Sequence, residues 1–129
     1  MSTYGFGKQV KMSFEEALAR VTEALGKEGF GVLTQIDVAA TLKAKLGKTM
    51  PPYKILGACN PSYAEKALAV EPQIGLLLPC NVVVREDQAG AVHVEIMDPL
   101  SVLNLVQREE VRSIARDVKS KLERVLTAV

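Results

Sequence analysis

Tyr53-Lys54-Ile55-Leu56-Gly57-Ala58-Cys59-Asn60-Pro61 and Leu76-Leu77-Leu78-Pro79-Cys80-Asn81-Val82-Val83-Val84 are the two stretches that decide how this chain folds. Each is an apolar run of strand length. Asn60-Pro61 closes the first as a helix start, with Asn as cap and Pro in the first turn, where its missing N–H costs nothing. Ala64, Ala67 and Leu68 give that helix its buried side, and Glu71-Pro72 stops it. The link of residues 61–75 then returns the chain to the edge it left, so segments 53–59 and 76–84 are expected to pair antiparallel. That pairing brings the repeated dipeptides Cys59-Asn60 and Cys80-Asn81 into one neighbourhood. Pro79 cannot donate a ladder hydrogen bond, so the second strand either starts near it or bulges beside Cys80.

Upstream, Tyr4, Phe6 and Val10 alternate through a first strand over residues 3–11, weakened by Gly5 and Gly7. Ser13 precedes Phe14, Ala17, Leu18, Val21 and Leu25 at helical spacing. With Glu16 three residues on, it forms a capping box that opens a helix over residues 14–27. Glycines 26, 29 and 31 turn the chain into a strand over residues 32–36. Asp37 then caps a short helix with the stripe Val38, Leu42, Leu46, closed by Gly47. Downstream, residues 85–90 read as a hairpin turn before a strand from Ala91 to Met97. Asp98-Pro99 starts another helix. Val111, Ile114, Ala115, Val118, Leu122, Val125 and Leu126 repeat at the spacing of a long C-terminal helix, with Asp117–Lys121 and Lys119–Glu123 as outer-face pairs.

The 129 residues, 48% of them hydrophobic, suit one domain over residues 1–129, with core enough to stand without a metal or disulfide staple. The net charge of +1 divides into +3 for residues 1–64 (8 basic, 5 acidic) and −2 for residues 65–129 (8 basic, 10 acidic). Neither half carries a basic stripe interleaved with aromatics, which argues against nucleic-acid binding. Met1-Ser2-Thr3-Tyr4-Gly5 has no signal-peptide pattern and no stretch reaches the ~20 apolar residues of a membrane span, so a cytoplasmic protein without membrane contact is expected. In that compartment Cys59 and Cys80 are thiols.

No motif here specifies a reaction. Two buried, inert thiols are the plainer reading of Cys59 and Cys80, because Cys in strands behaves as a small hydrophobe. The sharper one sets Cys80 near Asn amides and the start of the helix after Asn60, whose partial positive charge favours thiolate. That would make a nucleophile, or a redox sensor with Cys59 as resolving partner. A metal site needs His93 as third ligand, since two Cys cannot close a tetrahedral centre. His93 and Glu95 alternate with Val92, Val94 and Ile96, so the pair faces away from whatever those three pack on. A solvated or dimer-forming strand face is the plainer account of the pair, and a pocket His assisted by Glu95 the sharper. Gly47-Lys48-Thr49 lacks the upstream glycine of a phosphate loop, because Leu42 stands there. The glycine run 26–31 follows a helix and precedes a strand, the reverse of a dinucleotide fingerprint.

The two Cys-Asn segments, with Glu71-Pro72-Gln73-Ile74-Gly75 between them and the later Asp98-Pro99, resemble the bacterial and archaeal family known as domain of unknown function 302. The resemblance covers essentially the whole chain. It implies an α+β fold of the TATA-binding-protein-like class: a β-α-β(4)-α core with a curved antiparallel sheet, two short inserted helices and a long C-terminal helix, in a dimer. It assigns no catalytic residue and names no cofactor.

The reading that follows is a non-catalytic homodimeric module holding a small-molecule ligand or partner, with Cys59, Asn60, Cys80, Asn81, His93 and Glu95 as candidate binding or reactive residues. The alternatives are a thiol-dependent enzyme or redox sensor acting through Cys80 and Cys59, and a Cys/His metal-binding protein. The motive for the first is that strands such as 76–84 are apolar on both parities, while the helices suffice to cover one face.

Overall fold

Alternation of apolar residues along five strands builds one antiparallel sheet. The computed structural model describes residues 2–129. Strands β1 (Gly5–Val10), β2 (Gly31–Asp37), β3 (Tyr53–Cys59), β4 (Cys80–Glu86) and β5 (Val92–Met97) lie in the order β1-β5-β4-β3-β2. Helices α1 (Phe14–Lys27), α2 (Val38–Leu46), α3 (Pro61–Val70), α4 (Pro99–Leu103) and α5 (Glu109–Ala128) join and cover them. This is the expected β-α-β(4)-α order, with α2 and α3 as the inserted helices.

β3 and β4 pair antiparallel, Ala58 opposite Cys80 and Leu56 opposite Val82. Because side chains alternate, one face of the sheet presents Leu56, Ala58, Cys80, Val82, Val84, Val92, Val94 and Ile96, all buried. Against it pack Ala17, Val21 and Leu25 of α1 and Val118, Leu122 and Val125 of α5, whose apolar residues recur every three or four positions. A smaller cluster of Ala67, Ile74, Leu103, Val111 and Ala115 joins α3, α4 and the start of α5.

Several local expectations are modified by tertiary contacts. Ser13 does cap α1, its Oγ accepting from the Glu16 N–H at 3.1 Å, but the Glu16 carboxylate turns to Arg20 rather than back to the cap. In α5, Lys119 bonds Asp98 at 3.0 Å and Arg124 bonds Glu28 at 3.0 Å, so cross-element partners replace the pairing of Lys119 with Glu123. The run 76–84 is not one strand: residues Pro72–Leu77 form a 3-10 turn and the ladder begins at Cys80, immediately after Pro79. Among the described residues no helix is long and apolar enough to cross a membrane.

The second face is mixed rather than apolar. Val83 and Met97 share it with Asn81, Arg85, His93 and Glu95. The alternation of β4 and β5 decides this, since the residues between the core positions are mostly polar.

Leu122 is fully buried between α5 and the sheet, whereas Leu76 is 85% exposed. Urea denaturation is expected to show Leu122→Ala losing about 2–5 kcal/mol and Leu76→Ala changing stability by no more than about 0.5 kcal/mol.

Candidate functional site

The register at Ala58 and Cys80 forms the floor of a cleft of ≈ 310 Å³ at the end of the sheet. Its walls are Tyr63, Ala64, Ala67 and Leu68 of α3, Ile114 and Val118 of α5, Leu78 and Pro79 before β4, and Phe30 and Leu33 at β2. Thr34, Asn60 and Tyr63 supply its polar side chains, and among the described residues none that lines it is charged. Leu33 and Leu68 are 67% and 43% exposed and mark the mouth.

The six candidate residues divide among three places. Cys59, Asn60 and Cys80 line this cleft. Asn81 does not: adjacent strand residues take opposite faces, so Asn81 and Glu95 line a second groove of ≈ 410 Å³ on the uncovered face, with Tyr4, Tyr53, Val83 and Met97. Cys59-Asn60 escapes that alternation because the strand ends there. His93 lies in neither cavity. It pairs across the sheet with Arg85, and its Nε2 is 2.8 Å from Asp87 Oδ2.

The metal reading of Cys59, Cys80 and His93 is corrected by this geometry. Arg85, the cross-strand neighbour of His93, is five residues from Cys80, about 17 Å along the strand. His93 also lies on the uncovered face, while Cys80 lies on the core face. Nor do His93 and Glu95 act together. Arg85 takes Glu95 in a two-point ion pair, Nε to Oε1 at 2.7 Å and Nη2 to Oε2 at 3.2 Å. That bond raises the Arg85 pKa, and the hydrogen bond from His93, helped by the Ala91 and Ala89 amides, holds Asp87 below the usual carboxylate range.

Asn60 does not cap α3 through its side chain. Its Nδ2 donates to the Glu28 carbonyl at 3.3 Å and its Oδ1 accepts from Ser62 Oγ at 3.3 Å, which ties the start of α3 to the turn after α1. That turn runs through Gly29 at φ +86°, where a Cβ would stand 3.1 Å from Asn60 Nδ2. The Asn is therefore a brace beside the cleft. A second close approach lies beside Ala58: a Cβ at Gly57 would fall on Thr34 Oγ1 and 2.9 Å from Pro79 Cγ. β2, β3 and the entry to β4 close together only because residue 57 is glycine.

Reading the sequence missed Leu33 and the α5 wall. Leu33 is the extra residue of a bulge between the pairs Val32–Ala58 and Thr34–Gly57, which tips its side chain to the cleft. The signal for α3 was present, as Ala64, Ala67 and Leu68 do form one stripe. Part of that stripe borders empty space rather than core, so only Ala67 is buried.

The chemistry of Cys80 follows from its burial. Loss of water, with a smaller contribution from the neighbouring Cys59, pushes its pKa from 9.0 up to about 11. This is opposite to the depression a nucleophilic or redox thiol needs, so the start of α3 does not activate it. In the folded protein, iodoacetamide near pH 8 is expected to leave Cys80 unmodified, while in urea it alkylates both thiols. The raised pKa also gives a sign to stability. The unfolded thiol ionises first, so this contribution is complete below about pH 9 and is lost as pH rises toward 11, by an amount on the order of 2 kcal/mol. Urea titrations at increasing pH are expected to show that loss in the parent and not in Cys80→Ala.

Comparison with known proteins supports the architecture. A crystal structure of an uncharacterized conserved protein DUF302 from Bacillus stearothermophilus superposes with a TM-score of 0.91 at 28% identity, over 98% of both chains. An uncharacterized protein of Aquifex aeolicus (strain VF5) is 29% identical over 94 residues, 73% of this chain. Those residues are 57% of that protein, so the chain matches little more than half of its relative's length. The model of the family described as "Domain of unknown function DUF302" matches residues 6–129, and the chain belongs to that family.

Proposed function

We propose that this protein is a cytoplasmic, non-catalytic, homodimeric module that holds a small uncharged, largely apolar molecule in the cleft between α3, α5 and the Cys59 end of the sheet. The observation that carries this reading is the lining. A space of ≈ 310 Å³ is bounded by apolar side chains and the two thiols, with Thr34, Asn60 and Tyr63 as its few polar groups. Small-ligand sites have this constitution: a concave apolar surface of about 300 Å³ or more, with a few polar groups to orient the ligand.

Charge defines the ligand class by exclusion. Among the described residues no cation or anion lines the cleft, so a charged group inside it would lose its water without a partner, at a cost of several kcal/mol. An aromatic ring or short acyl chain incurs no such cost and gains about 25 cal/mol per Å² of apolar surface removed from water. The raised pKa of Cys80 supports binding over thiol chemistry for the same reason, since this floor resists charge. The groove on the uncovered face, with Asn81 and the Glu95–Arg85 pair at its border, suits such a ligand less well.

The uncharged fluorophore N-phenylnaphthylamine provides the test. The folded chain is expected to enhance its emission saturably, with one site per chain. Ala64→Trp, which fills the cleft from α3, is expected to weaken binding at least tenfold, about 1.4 kcal/mol. Asn81→Ala, on the other face, is expected to leave it unchanged. Absence of saturable binding, or equal loss in both variants, would contradict the proposal.

A further inference from the structure

Residues 31–46 combine regular structure with almost no burial. β2 and α2 run consecutively, and neither contains a buried residue. Yet Leu33, Ile36 and Leu46 are 67%, 50% and 66% exposed. β2 is an outer strand with no Lys or Pro, and its one charge, Asp37, is taken up in capping Ala40 at the start of α2. Proteins blunt such edges with charge, proline or cover, because unpaired strand groups recruit another strand. The other edge, β1, carries Lys8 and ends on buried Val10. A nine-residue helix that buries nothing is also marginal by itself.

We propose that two copies of this chain pair antiparallel through β2, and that α2 of each copy lies across the mouth of the other copy's cleft. The topology supplies the geometry. The cleft opens at the Gly31 end of β2, beside Phe30 and Leu33, whereas α2 leaves from the Asp37 end. Antiparallel self-pairing sets each Asp37 end beside the other copy's Gly31 end. The twofold axis of a continued sheet is perpendicular to it, so the helices of both copies stay on one side. Both elements are on that side: the cleft is walled by α5, and Ala39 and Ala40 of α2 border a hollow shared with Phe14 of α1.

Self-pairing is favoured over another partner because the surface is complementary to itself. The register that uses all of β2 sets Gly31 opposite Asp37 and Thr34 opposite Thr34, with no like charges facing. The interface closes as a twofold dimer and leaves no free β2 edge. The inference rests on the dimer named above and makes each cleft a site built from two chains, but its test needs no ligand.

Sedimentation equilibrium of the full chain at micromolar concentration decides it. The parent is expected at twice the chain mass. Leu33→Lys and Leu46→Glu alter side chains exposed within one chain, so both are expected to keep the parent far-UV spectrum and halve the mass. Leu76→Lys, on an equally exposed leucine outside residues 31–46, is expected to stay dimeric. A parent at one chain mass overturns the proposal, as does a dimer that survives both Leu33→Lys and Leu46→Glu. A dimer broken by Leu33→Lys alone overturns the placement of α2. Fluorophore binding fails or succeeds separately, so a dimer that binds no N-phenylnaphthylamine sinks the ligand reading and leaves the interface standing.

Discussion

The antiparallel register of β3 on β4, with Ala58 opposite Cys80, is the constraint from which the remaining geometry follows. A shift of β4 by one residue would turn Cys80, Val82 and Val84 out of the core and send Asn81 and Val83 in. Burying Asn81 without partners would cost about 1–3 kcal/mol, besides the lost burial of three apolar side chains. The hydrophobic pattern of β4 and β5 therefore holds the register from both sides. Once it is set, Cys80 must lie on the core face, and the end of β3 delivers Cys59 and Asn60 to the same corner.

The corner and the uncovered face obey different electrostatics. At the corner the environment is apolar, ionisation is suppressed, and the thiol pKa rises to about 11. On the uncovered face Arg85 and Glu95 keep about 30% of their side-chain surface in water. Such a pair organises side chains more than it stabilises the fold, since partly solvated ion pairs contribute about 1 kcal/mol or less. Desolvation thus decides at the first place and pairing at the second. Any molecule bound at the corner is selected mainly by shape and lack of charge.

Much of this was legible in the residues. Ser13 before the Phe14–Leu25 periodicity, the alternation of Val92, Val94 and Ile96, and the long Val111–Leu126 stripe each specify an element by local spacing. The antiparallel pairing of 53–59 with the strand that opens at Cys80 was legible as well, because the link of residues 61–75 returns the chain to the edge it left. The meeting of the two Cys-Asn dipeptides was legible only in part. Cys59, Asn60 and Cys80 meet, but period-two alternation removes Asn81, and His93 sits at the far end of the β4–β5 ladder. The bulge at Leu33, the 3-10 turn at Pro72–Leu77 and the partners of Lys119 and Arg124 depend on contacts between distant segments. Spacing along the chain carries no record of those.

The register itself is open to direct measurement by nuclear Overhauser spectroscopy on isotope-labelled protein. Cross-strand backbone contacts are expected to link Ala58 with Cys80, Leu56 with Val82 and Lys54 with Val84. Contacts displaced by one residue, such as Ala58 with Asn81, would turn Cys80 off the core face and contradict both the cleft and the function proposed for it.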